Sequence, residues 1–240
     1  MADAVHIQEF GTLTVTTIVS GRYRENGYVV TDRSSNVTVV IDPGGRADQF
    51  AQAIDAAGGT LDGIALTHGH FDHVGAAHEL AQQYACRCWL ESRDQKLAKQ
   101  ASLFAIRFEG TRIRSPSVTP FEAPGELELA PGMILNVLHT PGHTPGSVAF
   151  LMPGLAFVGD LMFKELVGPT VYPGSDRAAL LKSVSTVLDS TAPATILFAG
   201  HGRPWTVAEA RDWWLRVSGD PPAMKLFGEP AATSKLGEAR

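Results

Sequence analysis

Over the first forty residues, apolar side chains alternate with threonine and other polar residues. Residues 12–18, 27–31 and 36–41 are rich in Val, Ile and Thr, and Gly, Asn and Asp separate them. That pattern predicts three strands. From residue 47 the spacing changes. Phe50 and Ile54 stand four apart, which predicts a helix over 47–57 that Gly58 and Gly59 stop. The short apolar run 63–66 predicts a buried strand, followed by a helix over 75–85, a strand over 86–90 and a helix over 93–104. Residues 105–125 hold three prolines and no clear period, so a surface excursion is expected there, serving as a lid or substrate loop. Further strands are predicted at 133–138, 147–151, 155–158 and 195–198. Helices are predicted at 176–188 and 206–217, the second with Thr206 as its N-cap. The Gly-, Pro- and Ala-rich stretch from about 219 to 240 is expected to lie loosely on the surface. Strands and helices thus fall into two successive β-rich halves without a shift in composition, which predicts an α/β protein with a single domain over 1–240.

Composition agrees with that picture and removes some functions. A chain of 240 residues, 44% hydrophobic and 19% charged, is long enough for one large core. Its net charge of −5 comes from interspersed acids and bases, with no basic block, so nucleic acid is not an expected partner. No apolar run approaches the roughly 18 residues of a membrane span. The first residues lack a charged segment followed by an apolar one, so no secretory signal is expected. Cys86 and Cys88 are two apart, too close for an unstrained bridge. They read as reduced, small apolar residues in a cytoplasmic protein.

The candidate chemistry sits in Thr67-His68-Gly69-His70-Phe71-Asp72-His73. This stretch lies between a predicted buried strand and a helix, where α/β proteins place functional loops. Three imidazoles and a carboxylate this close are costly to bury unpaired, and a metal ion supplies the missing partner. Three later segments repeat one design, an apolar strand followed by glycine and a possible ligand: His139 and His143 in the loop after 133–138, Asp160 after Gly159, and His201 after Gly200.

In that order, His68-x-His70-x-Asp72-His73, His143, Asp160 and His201 resemble the ligand pattern of metallo-β-lactamase-fold hydrolases. The resemblance runs from about Asp42-Pro43-Gly44 to His201-Gly202. It implies a four-layer αββα sandwich with the site at one edge of two sheets. It also implies that His68, His70 and His143 hold one metal, that Asp72, His73 and His201 hold a second, and that Asp160 bridges them. Asp72 and Asp160 become the candidate catalytic carboxylates. Nitrogen and oxygen ligands suit two zinc ions, and also iron or manganese. Two such ions share a water, lower its pKa and direct it at a carbonyl carbon of a small-molecule substrate. His139 and His78 fit supporting roles.

Within the family, Thr140-Pro141-Gly142-His143-Thr144-Pro145-Gly146-Ser147 and Gly159-Asp160-Leu161-Met162-Phe163 resemble the glyoxalase II-like (hydroxyacylglutathione hydrolase-like) group. That likeness implies hydrolysis of a thioester or ester. Asp160 separates the chain from true β-lactamases, and His70 from diiron flavoproteins. Pro169 and Val171 depart from the group's Arg and Asp, and the residues after His201 leave no room for its glutathione-gripping helical domain. Two other members of the family stay open: mononuclear-iron persulfide dioxygenases, which share most of these ligands, and acyl-homoserine lactone lactonases, which share all seven and in which Tyr172 would stand near the oxyanion. Candidate substrate contacts are Phe71, Lys164 and Tyr172, with Leu103, Phe104, Ile106 and Phe108 as a possible apolar wall.

Overall fold

Strands that are apolar on both faces need cover on both sides. A computed structural model, which describes residues 4–219, shows where that cover comes from. The first half of the chain supplies β1 (Ala4–Phe10), β2 (Leu13–Ser20), β3 (Glu25–Asp32), β4 (Val37–Ile41), α1 (Ala47–Ala56), β5 (Gly63–Leu66), α2 (Phe71–Val74), α3 (Ala77–Gln83), β6 (Arg87–Glu91), α4 (Gln95–Lys99), α5 (Ala101–Glu109) and β7 (Thr119–Phe121). Its strands form a seven-stranded sheet in sequence order, antiparallel from β1 to β4 and parallel from β4 to β7. The second half supplies β8 (Gly125–Ala130), β9 (Met133–His139), β10 (Val148–Met152), β11 (Leu155–Gly159), the small hairpin β12 (Met162–Phe163) and β13 (Leu166–Val167), α6 (Arg177–Ser190), β14 (Ile196–Ala199), β15 (Trp205–Thr206) and α7 (Val207–Val217). Six of these strands form a second sheet in the order β15-β14-β11-β10-β9-β8.

Three separate apolar cores lie between four layers. Tyr28, Val30, Val39, Ile41 and Ala65 face inward and meet Leu135, Val137, Phe150, Phe157 and Phe198 of the other sheet. The alternate residues Val29, Val40, Ile64 and Leu66 face outward and meet Phe50 of α1 and Leu80 of α3. On the far side, Ala156, Val158 and Leu197 meet Leu180 and Val184 of α6 and Trp213 of α7. Period-two alternation sorts each strand between two cores, and the expected αββα sandwich results. Cys88 and Cys86 lie in the outer core of the first sheet, and both thiols are free. No described helix is long and apolar enough to cross a membrane.

Helix ends follow the local chemistry. Thr206 caps α7 as expected, and the Glu209 side chain returns the bond to the Thr206 backbone in a capping box. Asp176 caps α6 by accepting from Ala179 N.

Several expectations change. β1 precedes the three expected N-terminal strands, and β8 was not expected. The structureless excursion over 105–125 is corrected. The helix continues to Glu109 because Ala101 and Ala105 are buried under it. Thr119–Phe121 joins the sheet as its edge strand, where Pro120 needs no partner for a missing N–H. The expected loose tail falls, from residue 220 on, outside the described residues.

Candidate metal centre

All seven expected ligands meet at one edge of the two sheets. β5 ends at Leu66 and delivers His68 and His70, and the first turn of α2 carries Asp72 and His73. His143 comes from the β9–β10 loop, Asp160 follows β11, and His201 follows β14. The donor atoms of His68, His70 and His143 lie within 4.8 Å of one another, and so do those of Asp72, His73 and His201. Asp160 stands between the two clusters. Its Oδ2 is 3.4 Å from His143 Nε2, while its Oδ1 is 3.3 Å from His73 Nε2 and 3.6 Å from His201 Nε2. Asp72 Oδ2 closes the second cluster at 3.7 Å from His201 Nε2 and 3.8 Å from His73 Nε2.

The outer nitrogens of the rings are held by the protein. His73 Nδ1 lies 3.2 Å from Asp42 Oδ2, His68 Nδ1 3.0 Å from Thr67 Oγ1, His143 Nδ1 2.7 Å from the Pro169 carbonyl and His201 Nδ1 3.0 Å from the Tyr23 carbonyl. Such contacts fix ring orientation and leave the inner nitrogen for a metal. Asp42 also comes close to His68 and His73, but its oxygens accept from Thr67 N at 2.7 Å and from Thr67 Oγ1, so it orients the cluster. It does so from a left-handed backbone position, φ 49°, which surrounding bonds must hold in place.

A second buried acid, Asp94, ties the two histidine loops together. Its Oδ2 accepts from Gly69 N at 2.9 Å and from Thr144 Oγ1 at 2.7 Å, and its Oδ1 accepts from Gly146 N at 2.8 Å. Glycine is required where the loops crowd. A Cβ on Gly146 would lie 2.7 Å from Asp94 Cγ, and one on Gly200 would lie 2.1 Å from Asp160 Oδ1. Neither Asp42 nor Asp94 was expected from the sequence as part of the site.

Charge divides the clusters. Burial and the neighbouring imidazoles hold His68 and His70 well below the ordinary histidine range. Burial opposes protonation of His73 too, but the carboxylates of Asp160 and Asp72 outweigh it and raise His73 well above that range; His201 is raised for the same reason. Burial likewise opposes ionisation of Asp160, yet His201 and His73 hold it well below the carboxylate range. His68 Nε2, His73 Nε2 and Asp160 Oδ1 are buried and carry no hydrogen bond. Three inward-facing orphans in one place are rare in a native fold. Divalent cations fit them, because they accept the lone pairs and balance the carboxylates.

A cavity of about 240 Å³ opens onto the centre. Phe71 and Tyr172 line it, and so do Phe104 and Phe108, whose four-residue spacing on α5 puts both on one face. Leu103 and Ile106 point outward, at 67% and 45% exposure. Tyr23, Leu97, Gln100, Pro169 and Pro173 complete the wall and were not anticipated there. Lys164 is not among the residues lining this cavity: it sits between β12 and β13 and pairs with Glu209 of α7 at 3.1 Å. His139 bonds the Pro145 carbonyl of its own loop at 2.9 Å and supports His143 from outside.

Comparison with known proteins agrees with this geometry. The family model of the metallo-beta-lactamase superfamily matches residues 21–228. The hydroxyacylglutathione hydrolase GloC of Haemophilus influenzae is 32% identical over 202 residues, covering 79% of this chain and 91% of its own. Among solved structures, TTHA1623 in a di-iron-bound form has a TM-score of 0.73 at 35% identity, over 81% of this chain and 96% of that one. The BLEG-1 B3 metallo-beta-lactamase has a TM-score of 0.76 at 28% identity, over 82% and 96%. Fold, clustered His and Asp ligands and relatives together make the chain a metal-dependent hydrolase of the metallo-beta-lactamase superfamily.

Proposed function

We propose that the chain hydrolyses a thioester or ester of a small molecule. In this reading His68, His70 and His143 hold one divalent cation, Asp72, His73 and His201 hold a second, and Asp160 joins them. The single observation that carries it is the split of Asp160, whose two oxygens face different clusters. When bound, two such cations bring the pKa of a shared water toward neutrality and polarise the scissile carbonyl. Asp72, partly exposed on the cavity wall, is placed to accept a hydrogen bond from the attacking water. The aromatic wall keeps bulk water from the reacting carbonyl. Zinc is the assigned ion, and the di-iron-bound neighbour makes iron the alternative. GloC, by its name a hydroxyacylglutathione hydrolase, supports the thioester class.

Tyr172 favours lactone opening as a second reading. Its ring lies 5.2 Å from that of His70, and burial raises its hydroxyl above the ordinary range, so it stays a donor for a developing oxyanion. A mononuclear-iron dioxygenase leaves the second complete cluster without a purpose.

Metal-quantified protein assayed on thioesters, esters, lactones and a persulfide decides between these readings. The expected result is about two ions per chain, thioester or ester turnover, and loss of both turnover and the second ion in Asp160→Ala. A folded, metal-loaded protein that cleaves none of them, or that consumes oxygen with the persulfide, overturns the proposal.

A further inference from the structure

The cavity wall has a specific chemistry. The rings of Phe71 and Phe108 stack at 6.0 Å and 12° between planes, and those of Phe108 and Phe104 at 6.3 Å and 15°. Three nearly parallel, stacked rings therefore make one continuous apolar face, with Leu97, Tyr23 and Tyr172 beside it. Away from the metal ligands the lining is uncharged, and Gln100 is its one amide. None of the lining residues is Lys or Arg. The nearby cations lie outside the lining: Arg22 Nη1 bonds the Phe108 carbonyl at 3.3 Å, the Arg107 guanidinium lies over the Phe108 ring with its carbon 5.8 Å from the centroid, and Lys164 pairs with Glu209. Arg24 and Arg203 line a separate groove on the far side of Tyr23 and His201.

A charged substituent laid against this wall, away from the metal ligands, would lose its water and meet no charged lining residue, which is costly. A methylene laid against the rings would gain by leaving water. We infer that the acyl side of the substrate is an uncharged apolar chain or aryl ring, seated on the Phe71–Phe108–Phe104 face, and that any anionic group belongs to the leaving thiol or alcohol. This rests on the hydrolase reading above and narrows its substrate class.

The test keeps the leaving group constant. Acetyl, butyryl, hexanoyl, phenylacetyl and succinyl thioesters of N-acetylcysteamine are compared on metal-loaded full-length protein. kcat/KM is expected to rise about fourfold per methylene until the cavity is full. The succinyl ester, with its terminal carboxylate, should fall at least about tenfold below the butyryl ester. Calorimetric binding of the product acids should give the same order without turnover. Phe104→Ala should flatten the chain-length slope, and Gln100→Arg, which adds a cation to the wall, should narrow the gap between succinyl and butyryl. Circular dichroism verifies the fold of both variants. Hydrolysis with a flat series, or with succinyl ahead of butyryl, overturns the acyl assignment and leaves the hydrolase reading standing. No hydrolysis of any member removes both.

Discussion

Replacing Asp94 by alanine removes an acceptor that three donors share. Thr144 Oγ1 keeps Ser147 Oγ at 2.7 Å, but the buried amides of Gly69 and Gly146 are left with none of the carboxylate oxygens they now reach. Each such orphan costs about 1–3 kcal/mol, which sums to about 2–6 kcal/mol. Removing a carboxylate that is only 1% exposed returns part of that, because its own desolvation disappears. The expected net loss is therefore about 2–4 kcal/mol, a large share of the 5–15 kcal/mol typical of a folded domain. Asp94→Asn keeps one acceptor oxygen and should lose roughly half as much. Urea unfolding of metal-free protein measures the loss directly. Competition with a chelator measures its second effect. Gly69 lies between His68 and His70, and Gly146 lies three residues past His143, so loosening both should weaken metal binding about tenfold, as supporting contacts commonly do. An Asp94→Ala protein within about 0.5 kcal/mol of the parent, with unchanged metal affinity, would show that the loops hold their shape without the shared acid.

Two further outcomes follow from local features. Thr206→Ala deletes the α7 capping box and should cost about 1 kcal/mol in thermal unfolding, and a smaller cost in Thr206→Ser would confirm that the hydroxyl is responsible. Asp32, bonded by Ser34 N, Ser34 Oγ and Ser35 Oγ, has its carboxyl lowered to about 2, chiefly by the Ser34 backbone bond. A depressed folded pKa contributes stability above about pH 4 and loses it as pH falls through about 2. Asp32→Asn should therefore flatten the acid limb of metal-free unfolding midpoints across that window, and an unaltered limb would count against the role of this turn.

The ligands were legible because they follow apolar strands and five of the seven, all but Asp72 and His73, sit next to a glycine, a local signal that survives without tertiary knowledge. Asp42 and Asp94 carry no such signal. In Ile-Asp-Pro-Gly and Ser-Arg-Asp they look like ordinary turn and cap residues, and the groups that give them meaning lie 25 to 52 positions away. Lys164 shows the limit of spacing in sequence. It is four residues from Asp160, but the β12–β13 hairpin turns it toward α7. β1 escaped notice because it is an edge strand whose Val5 and Ile7 are 56% and 67% exposed, so no face of it registers as buried. Tyr23 and Gln100 sit in a turn and between two short helices, where periodicity says nothing about direction.

One stitch across the seam has a wider meaning. Asn26 N donates to the Gly200 carbonyl at 2.7 Å, Asn26 Nδ2 to Ala199 and Gly202, and the Tyr28 hydroxyl to Ala199, so β3 of the first sheet is laced to the strand end that carries His201. Each of the two clusters that Asp160 joins borrows from both halves of the chain, two members from the first and one from the second. Neither half alone can assemble either of these two. Cation uptake during refolding thus marks the instant when the halves join, and two separately expressed halves that regain it on mixing would have rebuilt that seam.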